Sequence, residues 1–175
     1  MGKKPDLSSP GLLVINGTLG CGKTTIAKAL QAQIHGAMVL HGDEVSARVI
    51  NFSVKSESSL LTVIQRLAEQ ASARIAQGCP LVIIDYVFET PGQLNALFAG
   101  VAPHVQIGAF YLSAQLNEID RRIRIRQHAD PEAEMSRTRE ILATQAPHVT
   151  EGGIGQLLDT GTLDVKEILT LILAE

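Results

Sequence analysis

Apolar residues fall along this chain in two alternating rhythms. Short unbroken runs at residues 12–15, 37–41, 81–84 and 105–112 have the length expected of buried strands, and the run at 81–84 is β-branched enough for a central one. Between the runs, apolar residues recur at helical spacing. One helix is marked by Ile26, Ala27, Leu30 and Ile34, a longer one by Leu60, Ile64, Leu67, Ala71 and Ile75, a short one by Leu94, Leu97 and Phe98, and another by Leu116, Ile119 and Ile123.

Stop and start signals divide these stretches. His35-Gly36 ends the first helix, Gly78 with Pro80 ends the second, and Gly42-Asp43 is turn chemistry that closes the strand at 37–41. Thr90-Pro91-Gly92-Gln93 has the form of a capping box with proline at the first helical position. Asp130-Pro131 opens a helix expected over 132–145, ending before Pro147. Residues 156–158 form a short edge strand, and 164–174 a closing helix whose cap Glu167 completes. Alternation of this kind implies an α/β architecture: a parallel sheet of about five strands, right-handed crossovers, and helices on both faces. Ligands of such sheets bind beyond the carboxyl ends of the strands, a rim that gathers residues 17–25, Asp43 and Asp85.

The strand at 12–15 leads straight into Gly17, Thr18, Leu19, Gly20, Cys21, Gly22, Lys23, Thr24 and Thr25. Glycine, four residues, then Gly-Lys-Thr lets a chain curl around a triphosphate, because side chains on the inner wall would block the backbone N–H groups. Lys23 supplies a flexible cation to the β and γ phosphates, the Thr24 hydroxyl is suited to Mg²⁺, and Thr25 to the α phosphate. The helix that follows directs its N-terminal dipole at the phosphates. The fold expected is therefore the three-layer P-loop NTPase fold.

At 175 residues the chain is of single-domain size, and 45% hydrophobic residues suffice for a sizeable core. A short flexible lead-in over 1–10 precedes one domain over 11–175. A net charge of −3 argues against an extended nucleic-acid surface. Cys21 and Cys79 lack metal-ligand spacing, and a disulfide at Cys21 would hinder access to the loop, so reduced thiols in a cytoplasm are expected. The first ten residues carry no apolar core, and no stretch has the length of a membrane span. The five histidines are scattered without ligand spacing, which makes a zinc site unexpected.

Taken together, these residues resemble the small-molecule and nucleoside-monophosphate kinase branch of the phosphate-loop proteins, most of all compact kinases of the chloramphenicol phosphotransferase, gluconate kinase and shikimate kinase kind. The resemblance covers most of residues 12–174 and rests on four blocks. They are the loop at 17–25, His41-Gly42-Asp43 with Arg48, the strand ending at Asp85, and the arginine helix from Leu112 to Arg126. Leu158-Asp159-Thr160 is similar to that family's segment near the nucleotide base. The resemblance implies ATP as phosphoryl donor, Mg²⁺, a small-molecule acceptor, and adenine rather than guanine.

It also implies residue roles. Asp43 orients the attacking hydroxyl and accepts its proton, or is a surface turn residue. Arg48 pins a polar or anionic substrate, or is a solvated helix arginine. Asp85 binds Mg²⁺ through water, acts on substrate, or caps the strand towards solvent. Tyr86 and Phe88 wall a substrate pocket or pack in the core, and Glu44 is surface. Arg122 and Arg126, at four-residue spacing, face the nucleotide and lead into a lid around 126–140, with Arg137 and Arg139 beyond. Arg121 and Arg124 belong to a solvated face paired with Glu118 and Asp120.

The function expected is transfer of the γ-phosphate of ATP to a hydroxyl or phosphate of a small molecule. A nucleotide hydrolase and a non-catalytic nucleotide-binding module are the alternatives. The chain has no Asn-Lys-x-Asp guanine reader, and no Asp-x-x-Gly follows Asp85, which counts against a GTP switch. Acceptor identity and oligomeric state are not readable.

Overall fold

The computed structural model describes residues 11–49, 57–126 and 130–174. The lead-in at 1–10, and within the expected lid residues 127–129 with His128, lie outside the described residues. Twelve elements follow in order among those described: β1 (Gly11–Gly17), α1 (Lys23–Gln33), β2 (Met38–His41), α2 (Gly42–Val49), α3 (Glu57–Ala76), β3 (Leu81–Asp85), α4 (Pro91–Ala99), β4 (Gln106–Ser113), α5 (Leu116–Ile125), α6 (Pro131–Thr150), β5 (Gln156–Asp159) and α7 (Val165–Ala174). The strands form one parallel sheet in the order β2-β3-β1-β4-β5.

Side chains alternate across a strand, and here both faces are apolar. Leu12 and Val14 of β1 join Val82 and Ile84 of β3 under Ile64 and Leu67 of α3 and Leu97 of α4. Leu13 and Ile15 join Ile83 on the other face, under Ile26 and Leu30 of α1 and Ile168 and Ile172 of α7. The central strands are therefore enclosed by helices, and their carboxyl ends form the rim.

Two element boundaries depart from the expectation. Gly42-Asp43 is not a turn; β2 passes directly into α2, and Asp43 and Glu44 occupy its first turn, where carboxylates suit the helix dipole. Glycine is required at 42 by a close approach, since a Cβ there would lie 2.1 Å from the Tyr86 ring. The second departure is α6, which runs through Pro147 to Thr150. It stops instead at Gly152, in the left-handed region at φ 68°. Gly153 N–H donates to the His148 carbonyl at 3.0 Å and Gly152 N–H to Val149 at 3.1 Å, a Schellman closure. Pro147 forfeits one intrahelical bond, and this closure satisfies the carbonyls beyond it.

The start of α4 follows the expected cap with one change. Thr90 Oγ1 accepts from Gln93 N–H at 3.4 Å, while Gln93 Oε1 accepts from Glu89 N–H at 2.7 Å rather than from the cap residue. At α7 the capping box is reciprocal: Asp164 N–H donates to Glu167 Oε2 and Glu167 N–H to Asp164 Oδ1, both at 2.8 Å.

A buried polar network ties the rim together. Asn16 is fully buried at the end of β1. Its Nδ2 donates to the carbonyls of Phe88 at 3.0 Å and Ile154 at 3.1 Å. Its Oδ1 accepts from the N–H groups of Gly17 at 2.7 Å and Phe88 at 2.9 Å. Gln145 of α6 donates to the same Phe88 carbonyl and accepts from the Tyr111 hydroxyl, each at 2.9 Å. Burial pushes the Tyr111 phenol up to about 12, so it remains a donor. Each of Asn16's hydrogen-bonding positions is filled, and truncation would strand several buried groups at once. Asn16→Ala is expected to lower unfolding free energy by about 3 kcal/mol or more. A denaturant titration reading a loss under about 1 kcal/mol would show that water replaces the side chain.

Candidate active site

The loop between β1 and α1 carries the phosphate-binding geometry. Gly17 has φ 138°, and a Cβ there would sit 2.4 Å from the Leu112 carbonyl oxygen and 2.6 Å from Cys21 Sγ. No other residue fits that crossing. Gly22, at φ 102°, precedes α1, which begins without a side-chain cap and with no acidic residue in its first turn. Its leading N–H groups are thus left for an anion. Lys23 Nζ donates to the Thr18 carbonyl at 2.9 Å, folding back across the loop. Thr18 Oγ1 is buried with no hydrogen-bond partner among the described residues, an orphaned polar atom of the kind a bound phosphate oxygen satisfies.

Cys21 is a buried member of the loop, and burial pushes its thiol up, with Lys23 acting the other way. Cys21 and Cys79 are unpaired thiols.

Asp85 ends β3 beside His41 of β2 and Ile15 of β1. It is 6% exposed, which removes the solvent-facing reading. The Thr24 hydroxyl donates to Asp85 Oδ2 at 2.6 Å, and His41 Nδ1 lies 3.2 Å from the same oxygen. A threonine hydroxyl and a carboxylate from separate elements thus converge as hard oxygen donors at the foot of the phosphate loop.

A cavity of about 870 Å³ opens next to the loop. Leu19 forms one wall, Asp43 and Ser46 of α2 another, and Tyr86, Glu89 and Gln93 a third. Leu60 and Leu61 of α3 and Arg137, Glu140 and Ile141 of α6 close it. Tyr86 serves both expectations. It is 8% exposed, meets Phe88 edge-to-face with ring centroids 5.4 Å apart, and still lines the cavity. Burial pushes its phenol up, while the Ser46 side chain at the hydroxyl acts in the opposite sense. Phe88 is wholly buried in the core.

The arginines divide by partner. Arg121 forms a bidentate pair with Glu118 at 2.7 and 2.8 Å, and Arg124 bridges Asp120 and Glu132, as a solvated face should. Arg121 and Arg122, whose Nε lies 2.7 Å from Glu118 Oε1, hold the Glu118 carboxyl down at about 2.

Arg122 is half-buried and turned towards the loop. It bonds the Thr160 carbonyl at 2.7 Å, Thr160 Oγ1 at 3.0 Å and the Cys21 carbonyl at 3.4 Å. Thr160 Oγ1 in turn donates to the Cys21 carbonyl at 2.8 Å. The segment at 158–160 is thereby docked on the phosphate loop. Arg126 ends α5 with an exposed side chain in no ion pair among the described residues.

Arg48 stands apart from the cavity. It is 76% exposed, 4.0 Å from Glu44, and faces a separate groove with Val45, Thr62 and Arg66. The helix starting at Gly42 rather than after a turn is what sends Arg48 to that side. Arg137 enters the cavity instead, bonded to Glu89 and, at 3.2 Å, to Glu140. The sequence assigns no role to Asn16, Gln145 or Glu89, and His41 enters it only within the block His41-Gly42-Asp43. A buried asparagine before Gly17 was the one readable signal among them.

The geometry agrees with what similarity shows. Residues 12–151 match the AAA domain family. No curated protein matches the sequence. Among solved structures, the Deinococcus radiodurans tunicamycin resistance protein is similar at 17% identity, with a TM-score of 0.66 and 94% of each chain covered. A gluconokinase from Sinorhizobium meliloti 1021 is similar at 18% identity and TM-score 0.66, covering 94% of this chain and 90% of that one. The Mycobacterium tuberculosis APS kinase is similar at 15% identity and TM-score 0.66, covering 95% of this chain and 96% of that one. At these identities the likeness establishes a shared fold, the five-stranded P-loop sheet. With four-fifths of its length matched, the chain belongs to the AAA domain family.

Proposed function

We propose that this protein is an ATP-dependent phosphotransferase that moves the γ-phosphate to a small-molecule acceptor, by preference to a hydroxyl. The observation that carries this reading is the pairing of a phosphate loop with a separate cavity of about 870 Å³ across Asp43 and Leu19. Transfer to an acceptor requires such a second chamber, whereas attack by water does not.

ATP would lie along residues 17–25, its phosphates meeting the N–H groups of the loop and of α1, the Lys23 ammonium and the Thr18 hydroxyl. The donor set at Thr24 and Asp85 fits Mg²⁺, which takes one or two protein oxygens and completes its shell with phosphates and water. When bound, Mg²⁺ would draw charge from the phosphate oxygens. Arg122 stays with the nucleotide side through Thr160, and Arg126 is the remaining α5 arginine for the phosphates. Asp43 orients the acceptor hydroxyl and takes its proton as the oxygen bonds to the γ-phosphorus; the bond to the bridging oxygen breaks and ADP leaves with the electron pair. Tyr86 forms the wall behind that hydroxyl. Arg48 has no part in this reading.

Residues 11–175 act as one domain. No described helix is long and apolar enough to cross a membrane. A cytoplasmic setting suits an ATP-dependent enzyme with two unpaired thiols.

Purified protein incubated with γ-labelled ATP, Mg²⁺ and a broad set of hydroxyl compounds is expected to transfer label to at least one of them. Release of labelled phosphate to water at one rate, whatever compound is added, would make it a hydrolase.

A further inference from the structure

Charge in the cavity is distributed one-sidedly. Its described lining contains the carboxylates of Asp43, Glu57, Glu89 and Glu140, set against Arg137 alone. These groups come from α2, α3, the loop after β3, and α6, so carboxylates surround whatever binds. Arg137 is already committed at both ends of its guanidinium, to Glu89 and to Glu140. Asp43 and Glu57 have no ion-pair partner among the described residues. No other described lysine or arginine lines the space. Lys23 folds back to Thr18, Arg122 is held by Thr160, and Arg48 and Arg66 face the separate groove.

An anionic acceptor, a sugar acid or a phosphorylated compound, would meet carboxylates on several walls and no uncommitted cation among the described lining residues. A cationic one gains from the carboxylates of Asp43 and Glu57, unpaired among the described residues, and from the net negative charge of the described lining, and the phosphate donor beside it adds to the attraction. Leu60, Leu61 and Ile141 give the cavity an apolar stripe, and its volume exceeds what a three-carbon alcohol fills. Resting on the phosphotransferase reading above, we infer that the acceptor is a hydroxyl-bearing amine of at least amino-sugar size, recognised as an ammonium ion by the carboxylates of this cavity. The cavity beside the phosphate loop defines the site; the carboxylates and the neutralised Arg137 define what it accepts.

The test uses matched triads on one skeleton: an amino sugar or aminocyclitol antibiotic, its N-acetyl derivative, and the corresponding sugar acid, each with γ-labelled ATP and Mg²⁺. In at least one triad the amine is expected to be phosphorylated with a kcat/KM at least about tenfold above its N-acetyl derivative, with no label on the acid. Glu57→Gln and Glu140→Gln are each expected to raise KM for the amine more than they lower kcat, shrinking its advantage. An acid or N-acetyl compound used as well as the amine would overturn the assignment. If no triad takes label, the phosphotransferase reading stands or falls separately, on the broad acceptor set above. Calorimetry with the same triads in the presence of ADP then decides the charge assignment: amine binding at least about tenfold tighter than its N-acetyl partner upholds it, and equal or undetectable binding overturns it.

Discussion

Lys23→Ala is expected to lower phosphoryl transfer at least about a thousandfold while leaving the fold standing. In the free protein the Lys23 ammonium makes one hydrogen bond among the described residues, to the Thr18 carbonyl at 2.9 Å, and Lys23 sits at the start of α1, where alanine is an excellent helix former. Little stability depends on it. Its value lies in what it does as charge builds on the transferring phosphoryl group, when a cation held beside that group lowers the barrier. Arginine should not rescue the change, because a planar guanidinium cannot follow the same path across the loop. Turnover within tenfold of wild type, with an unchanged melting temperature, would remove Lys23 from the mechanism.

Asp43→Asn should separate binding from chemistry. Asp43 is exposed in the first turn of α2 and lines the cavity rather than the phosphate loop, so ATP affinity should change less than about threefold. Asparagine keeps the size and an accepting oxygen but takes no proton, and removal of a general base costs about 10²–10⁴ in kcat. Loss of a carboxylate from the helix start costs stability of only about 0.3–1 kcal/mol. Calorimetry of nucleotide binding beside single-turnover transfer reads the two apart. Transfer at the wild-type rate would mean that acceptor hydroxyls attack without help from this residue.

What sequence revealed and what it hid follow from the range of the interactions involved. The phosphate loop is legible because its physics is local: glycines where side chains would collide, and a lysine and threonine at fixed spacing. The five strands are legible from short apolar runs and the faces of α1, α3, α4 and α5 from helical period, whereas α2 leaves no such signal. Gly42-Asp43 misleads because turn chemistry and a close ring contact both demand glycine, and the ring belongs to Tyr86, far along the chain. Pro147 misleads because proline is a local stop signal, whereas α6 is finished by Gly152 and Gly153 beyond it. Arg48 and Arg137 trade expectations because which arginine meets the cavity depends on helix orientation, and spacing carries no record of that. The carboxylates lining the cavity come from four segments and leave no motif.

Asn16 has a consequence for where this protein can be cut. The segment shared with the AAA domain family ends at residue 151, yet one of the carbonyls that fills Asn16's amide belongs to Ile154. Beyond it, Thr160 props the phosphate loop through Cys21, and α7 covers α1 with Ile168 and Ile172. A chain shortened to the shared segment would therefore expose the underside of its own nucleotide site. Its last two dozen residues are the floor on which the first functional loop is laid.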